Sequence, residues 1–159
     1  MRLSTKGRYA VTAMMDLAIH ENGEPVTLSE ISVCQGISLS YLEQLFAKLR
    51  RAGLVEGVRG PGGGYRLART SDQITIAQVI SAVDENVDVR ACNGSEDCQS
   101  GERCLTHELW DELSAKLYSY LDSITLAGFV KRPEVEEVAQ RQDRQHNRQH
   151  HVLYRRPAA

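Results

Sequence analysis

Apolar residues return at spacings of three and four from Thr5 onward, through Ala10, Val11, Met14, Leu17 and Ala18, and the pattern stops at Asn22-Gly23. That spacing predicts an amphipathic helix closed by a pair suited to left-handed backbone. Thr27-Leu28-Ser29-Glu30 has the form of a capping box, with the hydroxyl accepting from a free N–H and the carboxylate reaching back. A short second helix follows and ends near Gly36. Ser38 or Ser40 can cap a third, in which Leu42, Leu45, Phe46, Leu49 and Ala52 form one buried stripe before Gly53 stops it.

The opposite face of the third helix is polar, carrying Tyr41, Glu43, Gln44, Lys48 and Arg51, with Ser40 at its opening turn. Two short helices joined by a tight turn, the second with hydrogen-bonding residues facing outward, describe a helix-turn-helix over residues 27–52. Residues 54–68 then read strand, glycine-rich loop, strand, with Arg59-Gly60-Pro61-Gly62-Gly63-Gly64 in the middle. A nucleotide-binding loop would carry Gly-Lys-Ser/Thr and lead into a helix, and neither holds. The hairpin is a wing, where Gly60 permits close backbone approach and Arg59 reaches phosphates or a narrow minor groove. The predicted DNA-contacting set is therefore Ser38, Ser40, Tyr41, Glu43, Gln44, Lys48, Arg51, Arg59 and Gly60. A solvated face is the plain alternative for Lys48 and Arg51 taken singly.

Beyond a short helix around Ile76, Val79, Ile80 and Val83, residues 84–107 are rich in Gly, Ser, Asp and Glu and predict a loop. Residues 105–124 restore a helical stripe, Leu109, Leu113, Leu117, Tyr120, Leu121 and Ile124, with Trp110 near its start. At ~1.5 Å per residue this makes a rod of roughly 30 Å, more than a winged helix can cover, so pairing with a second copy is expected. Residues 132–159 are dominated by Gln, Arg, His and Asn, a composition that predicts a disordered polar tail. The fold class is thus mainly α with a small β-hairpin: a winged helix-turn-helix regulator domain over residues 2–131, including the dimerisation helix, and then the tail.

Charge divides the chain more sharply than its net −2 suggests. Residues 1–70 carry nine Lys/Arg against six Asp/Glu, residues 71–130 three against eleven, and residues 131–159 seven against four. A polyanion suits the first segment, and double-stranded DNA is the expected partner. No apolar run is long enough to span a membrane, and the N-terminus lacks a signal-peptide core, so a cytoplasmic protein is expected. In that reducing compartment clustered cysteines point to metal or redox chemistry.

Three of the four cysteines lie in Cys92-x5-Cys98-x5-Cys104-x2-His107. Thiolates and imidazole select zinc, copper or an iron–sulfur cluster over hard cations. Structural zinc favours close pairs such as Cys-x2-Cys, and the deaminase signature His-x-Glu with Cys-x-x-Cys is missing. A thiol switch without metal stays open. Ligand binding here would couple to ordering of a loop that cannot pack itself, with the acidic neighbours expected to be solvated. Cys34 lies apart and is expected to be buried and inert.

Met1-Arg2-Leu3-Ser4-Thr5-Lys6-Gly7-Arg8-Tyr9-Ala10, Leu45-Phe46-x-Lys48-Leu49-Arg50, the wing Gly60-Pro61-Gly62-Gly63-Gly64-Tyr65 and the four-ligand spacing together resemble the IscR family of bacterial iron–sulfur cluster assembly regulators. The resemblance covers about residues 1–130. It implies a homodimeric winged-helix transcription factor, not an enzyme, whose Cys92, Cys98, Cys104 and His107 hold a 2Fe-2S cluster, with a cluster assembly scaffold as donor. It further implies that the loaded form represses the cluster assembly genes and that the cluster-free form acts at a second class of promoter.

Overall fold

Caps written into the chain start most of its helices. Ser4 accepts from the Lys6 N–H at the head of α1 (Thr5–His20). Thr27 and Glu30 complete their capping box on α2 (Leu28–Gln35), and Gly36, at φ 66°, ends it. Ser38 accepts from the Tyr41 N–H and opens α3 (Leu39–Arg51), on which Leu42, Leu45, Phe46 and Leu49 are buried. Ala52, predicted in the same stripe, is exposed because it is already the C-cap of that helix. This computed structural model describes residues 4–83 and 85–154. Met1-Arg2-Leu3 of the N-terminal motif, Asp84 at the head of the loop, and residues 155–159 of the tail lie outside the described residues.

The wing is an antiparallel pair, β1 (Val55–Val58) and β2 (Gly64–Leu67), in the register Val55↔Leu67 to Val58↔Gly64. It is locked to the body at Tyr65, which exchanges two 2.8 Å backbone hydrogen bonds with Val26 and meets the Phe46 ring edge-on at 4.9 Å. Gly64 makes this approach possible, since a Cβ there would lie 2.5 Å from the Val26 carbonyl oxygen. After a 3-10 turn at Ser71–Gln73, a second capping box, Thr75 with Gln78, starts α4 (Ile76–Ala82).

The long helix α5 runs His107–Asp122, later than expected at its start because Leu105 is 99% exposed and lies outside it. Its stripe is only partly covered: Leu121 and Ile124 pack on the core, while Leu109, Trp110, Tyr118 and Tyr120 are exposed. A backbone clasp fixes its far end, Ile76 N–H donating to Ile124 and Leu126 N–H to Ile74, both at 2.9 Å. α6 (Leu126–Val130) then buries Leu126 in the core beside Met14, Leu17, Phe46 and Ile80. Among the described residues no helix is long and apolar enough to cross a membrane.

The polar tail is helical where it is described, as α7 (Pro133–Tyr154). Its low average hydropathy hides a stripe, Val135, Val138, Ala139 and Gln142, that faces Thr12, Met15, Ile19 and Gln35. Glu134 and Glu136 suit the positive end of the helix dipole. His20 fastens it, with Nδ1 3.0 Å from Asp16 and Nε2 2.8 Å from Asp143.

The hydrogen bond to Asp16, opposed by burial and aided by Asp143, lifts the His20 pKa to about 9. Cys34, Glu24, Glu30 and His146 line the same pocket, and burial pushes the Cys34 thiol up to about 11, so it stays neutral over this range. A raised folded-state value stabilises docking fully below the ordinary pKa of ~6.5 and loses that contribution as pH rises toward 9. Helix content followed by circular dichroism is expected to fall between pH 7 and 9.5 in the intact protein. A His20→Ala variant is expected to show no such step.

Candidate metal centre and nucleic-acid interface

Two tight turns explain the x5 spacings of the ligand segment. Asn93 and Gly94 adopt positive φ of 50° and 88°, and Ser95 N–H donates to the Cys92 carbonyl at 3.0 Å, folding the chain back toward Cys98. Gln99 and Glu102 then exchange backbone hydrogen bonds at 3.0 and 2.9 Å across Ser100-Gly101, whose positive φ angles mark a two-residue hairpin turn. That hairpin sets Cys104 beside Cys98, and the Cys104 N–H points at the Cys98 sulfur from 3.1 Å. Three residues on, His107 N–H donates to the Cys104 carbonyl as α5 begins.

Cys92, Cys98 and His107 therefore converge, with ligand atoms all within 4.8 Å of one another. His107 is buried and turns Nδ1 toward the thiols, 3.3 Å from Cys98 Sγ and 3.8 Å from Cys92 Sγ. Cys104 stands outside that set; its Sγ lies 3.8 Å from the Thr106 hydroxyl. Burial pushes the Cys92 thiol up, but the Gly94 and Glu96 N–H groups and contact with Cys98 bring it below its ordinary value. Contact with Cys98, and the hydroxyl and N–H of Thr106, lower Cys104. Cys98 between them goes up, because burial and two neighbouring thiols outweigh the Cys104 N–H. Three thiols sharing one site do not lose their protons independently.

The acidic neighbours are not merely solvated. Arg90 pairs with Asp88 at 2.7 Å and with Asp111 of α5 at 2.5 Å, and Arg103 pairs with Glu96 and Glu108 at 2.6 Å each. The Arg90 guanidinium, aided by its own N–H and Ser114, holds the Asp88 carboxyl down near 2 against the effect of burial. Soft donors, N–H groups aimed at sulfur and nearby cations fit an anionic iron–sulfur cluster. They fit an isolated hard cation poorly.

On α3 Ser40, Glu43, Gln44 and Arg51 are exposed, as are Arg59 and Gly60 of the wing, the latter at φ 93°. Ser38 spends its hydroxyl as the helix cap, and Lys48 is half-buried. Tyr41 departs from the predicted polar face: it is half-buried and meets Tyr9 of α1 edge-on at 5.8 Å, since an aromatic ring gains more by packing there than by solvation. Arg50 is exposed on the same side as Glu43. Its position two turns on, at i+7, was the available sign.

A helix-turn-helix with a wing, joined to a loop of convergent thiols, defines the class of winged-helix DNA-binding regulators. Residues 3–132 match the Rrf2 family, described as iron-dependent transcriptional regulators. Curated relatives include the "HTH-type transcriptional regulator IscR" of Xenorhabdus nematophila, 61% identical over 143 residues, covering 90% of this chain and 87% of the relative. The protein of that name from Vibrio cholerae is also 61% identical, over 90% and 83% of the two chains. Among solved structures, T. potens IscR is 40% identical with a TM-score of 0.68, covering 82% of this chain and 87% of that one. CymR, the global cysteine regulator of B. subtilis, is 35% identical with a TM-score of 0.68, over 81% and 95%. The chain belongs to the Rrf2 family and is a DNA-binding transcriptional regulator; its relatives are regulators and not enzymes.

Proposed function

We propose that this regulator senses iron–sulfur cluster status through a 2Fe-2S cluster held by Cys92, Cys98, Cys104 and His107, acting mainly as a repressor of cluster assembly genes. The observation that carries the reading is the convergence of Cys92, Cys98 and the buried His107 within 4.8 Å, with Cys104 brought alongside by the 99–102 hairpin. When bound, the cluster supplies a soft, redox-active anion whose presence or absence is the signal. Three thiolates and one imidazole leave it less negative than four thiolates, with a protonatable and more labile fourth bond. Relatives named IscR support this assignment. Anaerobic reconstitution followed by visible spectroscopy and iron and sulfide analysis tests it. Equal iron and sulfide with visible colour is expected; a colourless protein with stoichiometric zinc would instead mean a structural zinc regulator.

The working form is a cytoplasmic homodimer joined through α5, whose Leu109, Trp110, Tyr118 and Tyr120 are exposed on a single chain. It is loaded by a cluster assembly scaffold, and its two reading helices are spaced for successive turns of duplex DNA. Ser38, Ser40, Tyr41, Gln44, Lys48, Arg51 and wing residues Arg59 and Gly60 form the contact set, Tyr41 and Ser38 by holding the helix in place. Glu43 acts as the discriminator between the operators of the loaded form and a second promoter class read by the cluster-free form. A carboxylate accepts from cytosine N4 but repels phosphates and the acceptor edge of guanine. Glu43→Ala is expected to shrink the ratio of affinities for the two site classes by about tenfold, one good base contact being worth ~1–3 kcal/mol. Binding titrations at fixed salt measure it, and an unchanged ratio would remove Glu43 from that role.

A further inference from the structure

Arg90 and Arg103 are the only Lys or Arg residues between Arg69 and Lys116, and both lie beside the metal centre. Each bridges one carboxylate of the loop to one of α5, but the two are not equivalent. Arg103 is 52% exposed and its partners Glu96 and Glu108 are 54% and 77% exposed, a solvated arrangement of small net effect. Arg90 is 24% exposed and Asp88 only 12%. Its Nε and Nη2 grip both oxygens of Asp88, its own backbone N–H donates to Oδ1 at 2.8 Å, and Nη1 reaches Asp111, one turn along α5 from His107.

The loop is stitched to the same helix a second time just before, where Val89 N–H donates to the Ser114 hydroxyl at 3.0 Å. The guanidinium also lies against the tip of the Cys92 turn. A Cβ added to Gly94 would sit 3.0 Å from Arg90 Nη2, so the cation fills the space directly beside the Asn93-Gly94 turn that follows Cys92. One side chain thus joins the turn bearing Cys92 to the helical turn bearing His107.

We propose that Arg90 is a positioning residue for the cluster, clasping the Cys92 turn to α5 at the level of His107 while placing a fixed positive charge beside the bound anion. The inference rests on the 2Fe-2S reading above. Reduction adds negative charge to the site, and a nearby cation favours it, so removing that cation lowers the reduction potential. A lysine keeps the charge but cannot grip two carboxylates with a planar fork.

Full-length wild type, Arg90→Gln, Arg90→Lys and Arg103→Gln are to be reconstituted anaerobically with iron and sulfide, then followed for loss of visible absorbance under a chelator and for reduction potential. Arg90→Gln is expected to release its cluster about tenfold faster or more, the usual scale for outer-shell partners of a metal site, and at a more negative potential. Arg90→Lys is expected to release faster with the potential retained, and Arg103→Gln to stay within about threefold of wild type. Release from Arg90→Gln at the wild-type rate, or faster release with an unmoved potential, overturns the proposal. If Arg90→Gln does not fold as apoprotein, Asp111→Asn carries the test; it opens the clasp on the helix side, and wild-type retention in it overturns the proposal equally. Wild type that takes up no iron and sulfide defeats the cluster reading itself, an outcome distinct from a stable cluster indifferent to Arg90.

Discussion

A Cys92→Ala protein is expected to hold less than a tenth of the wild-type iron and sulfide and to lose the difference in operator binding between loaded and cluster-free states. The magnitude follows from ligand count. Among the described residues Cys92 is one of three side chains whose donor atoms already lie within 4.8 Å of one another, and its loss leaves Cys98 and His107 with Cys104, which stands outside that set. Metal binding couples to folding where the ligands lie on a loop, so on the cluster reading each lost ligand also removes part of what holds residues 85–106. Measurement is by iron and sulfide analysis together with salt-controlled titration of both operator classes. Identical affinities for wild type with and without cluster, at every site, would remove the sensor role whatever the alanine variant does.

Gly64→Ala is expected to cost about 3–5 kcal/mol and to lower DNA affinity through the wing. Its Cβ would press on the Val26 carbonyl oxygen and the Thr27 N–H from 2.5 and 3.1 Å, and both are backbone that cannot swing aside. Relief requires parting the two Val26–Tyr65 hydrogen bonds, each worth ~1 kcal/mol net, and adds ~1–3 kcal/mol of strain at φ 158°. Tyr65 would then withdraw from Phe46, and Arg59 and Gly60 at the wing tip would lose their fixed distance from α3. Urea unfolding reads the stability loss. A stability equal to that of wild type would mean that β2 does not approach Val26 as closely as described.

Features carried by a few adjacent residues are legible in the sequence. Thr27 with Glu30, Gly36 after its helix, and the wing between Leu54 and Ala68 each depend on short-range backbone chemistry. Features that depend on partners distant in sequence are not. Tyr41 lies in a polar stretch of α3, and only the arrival of Tyr9 from α1 makes it a packing residue. The 132–154 segment reads as disordered by composition, yet three small apolar side chains at helical spacing and the Asp16–His20–Asp143 bridge suffice to dock it. Within the candidate metal centre the clustering of Cys92, Cys98 and His107 is legible and what supports it is not: Arg90 finds Asp111 twenty-one positions away, a pairing no local pattern announces.

The clasp between Ile74-Ile76 and Ile124-Leu126 also gives α5 a fulcrum. Its sixteen residues make an arm of roughly 24 Å from the clasp to His107. Pivoting that arm by about 5° displaces the His107 end by roughly 2 Å. Run in reverse, a shift of that size at His107 is geared down to a slight rotation beside α4 and the core. Two such arms back to back would turn loop rearrangements at the tips into a small, shared change of angle between the paired DNA-reading units.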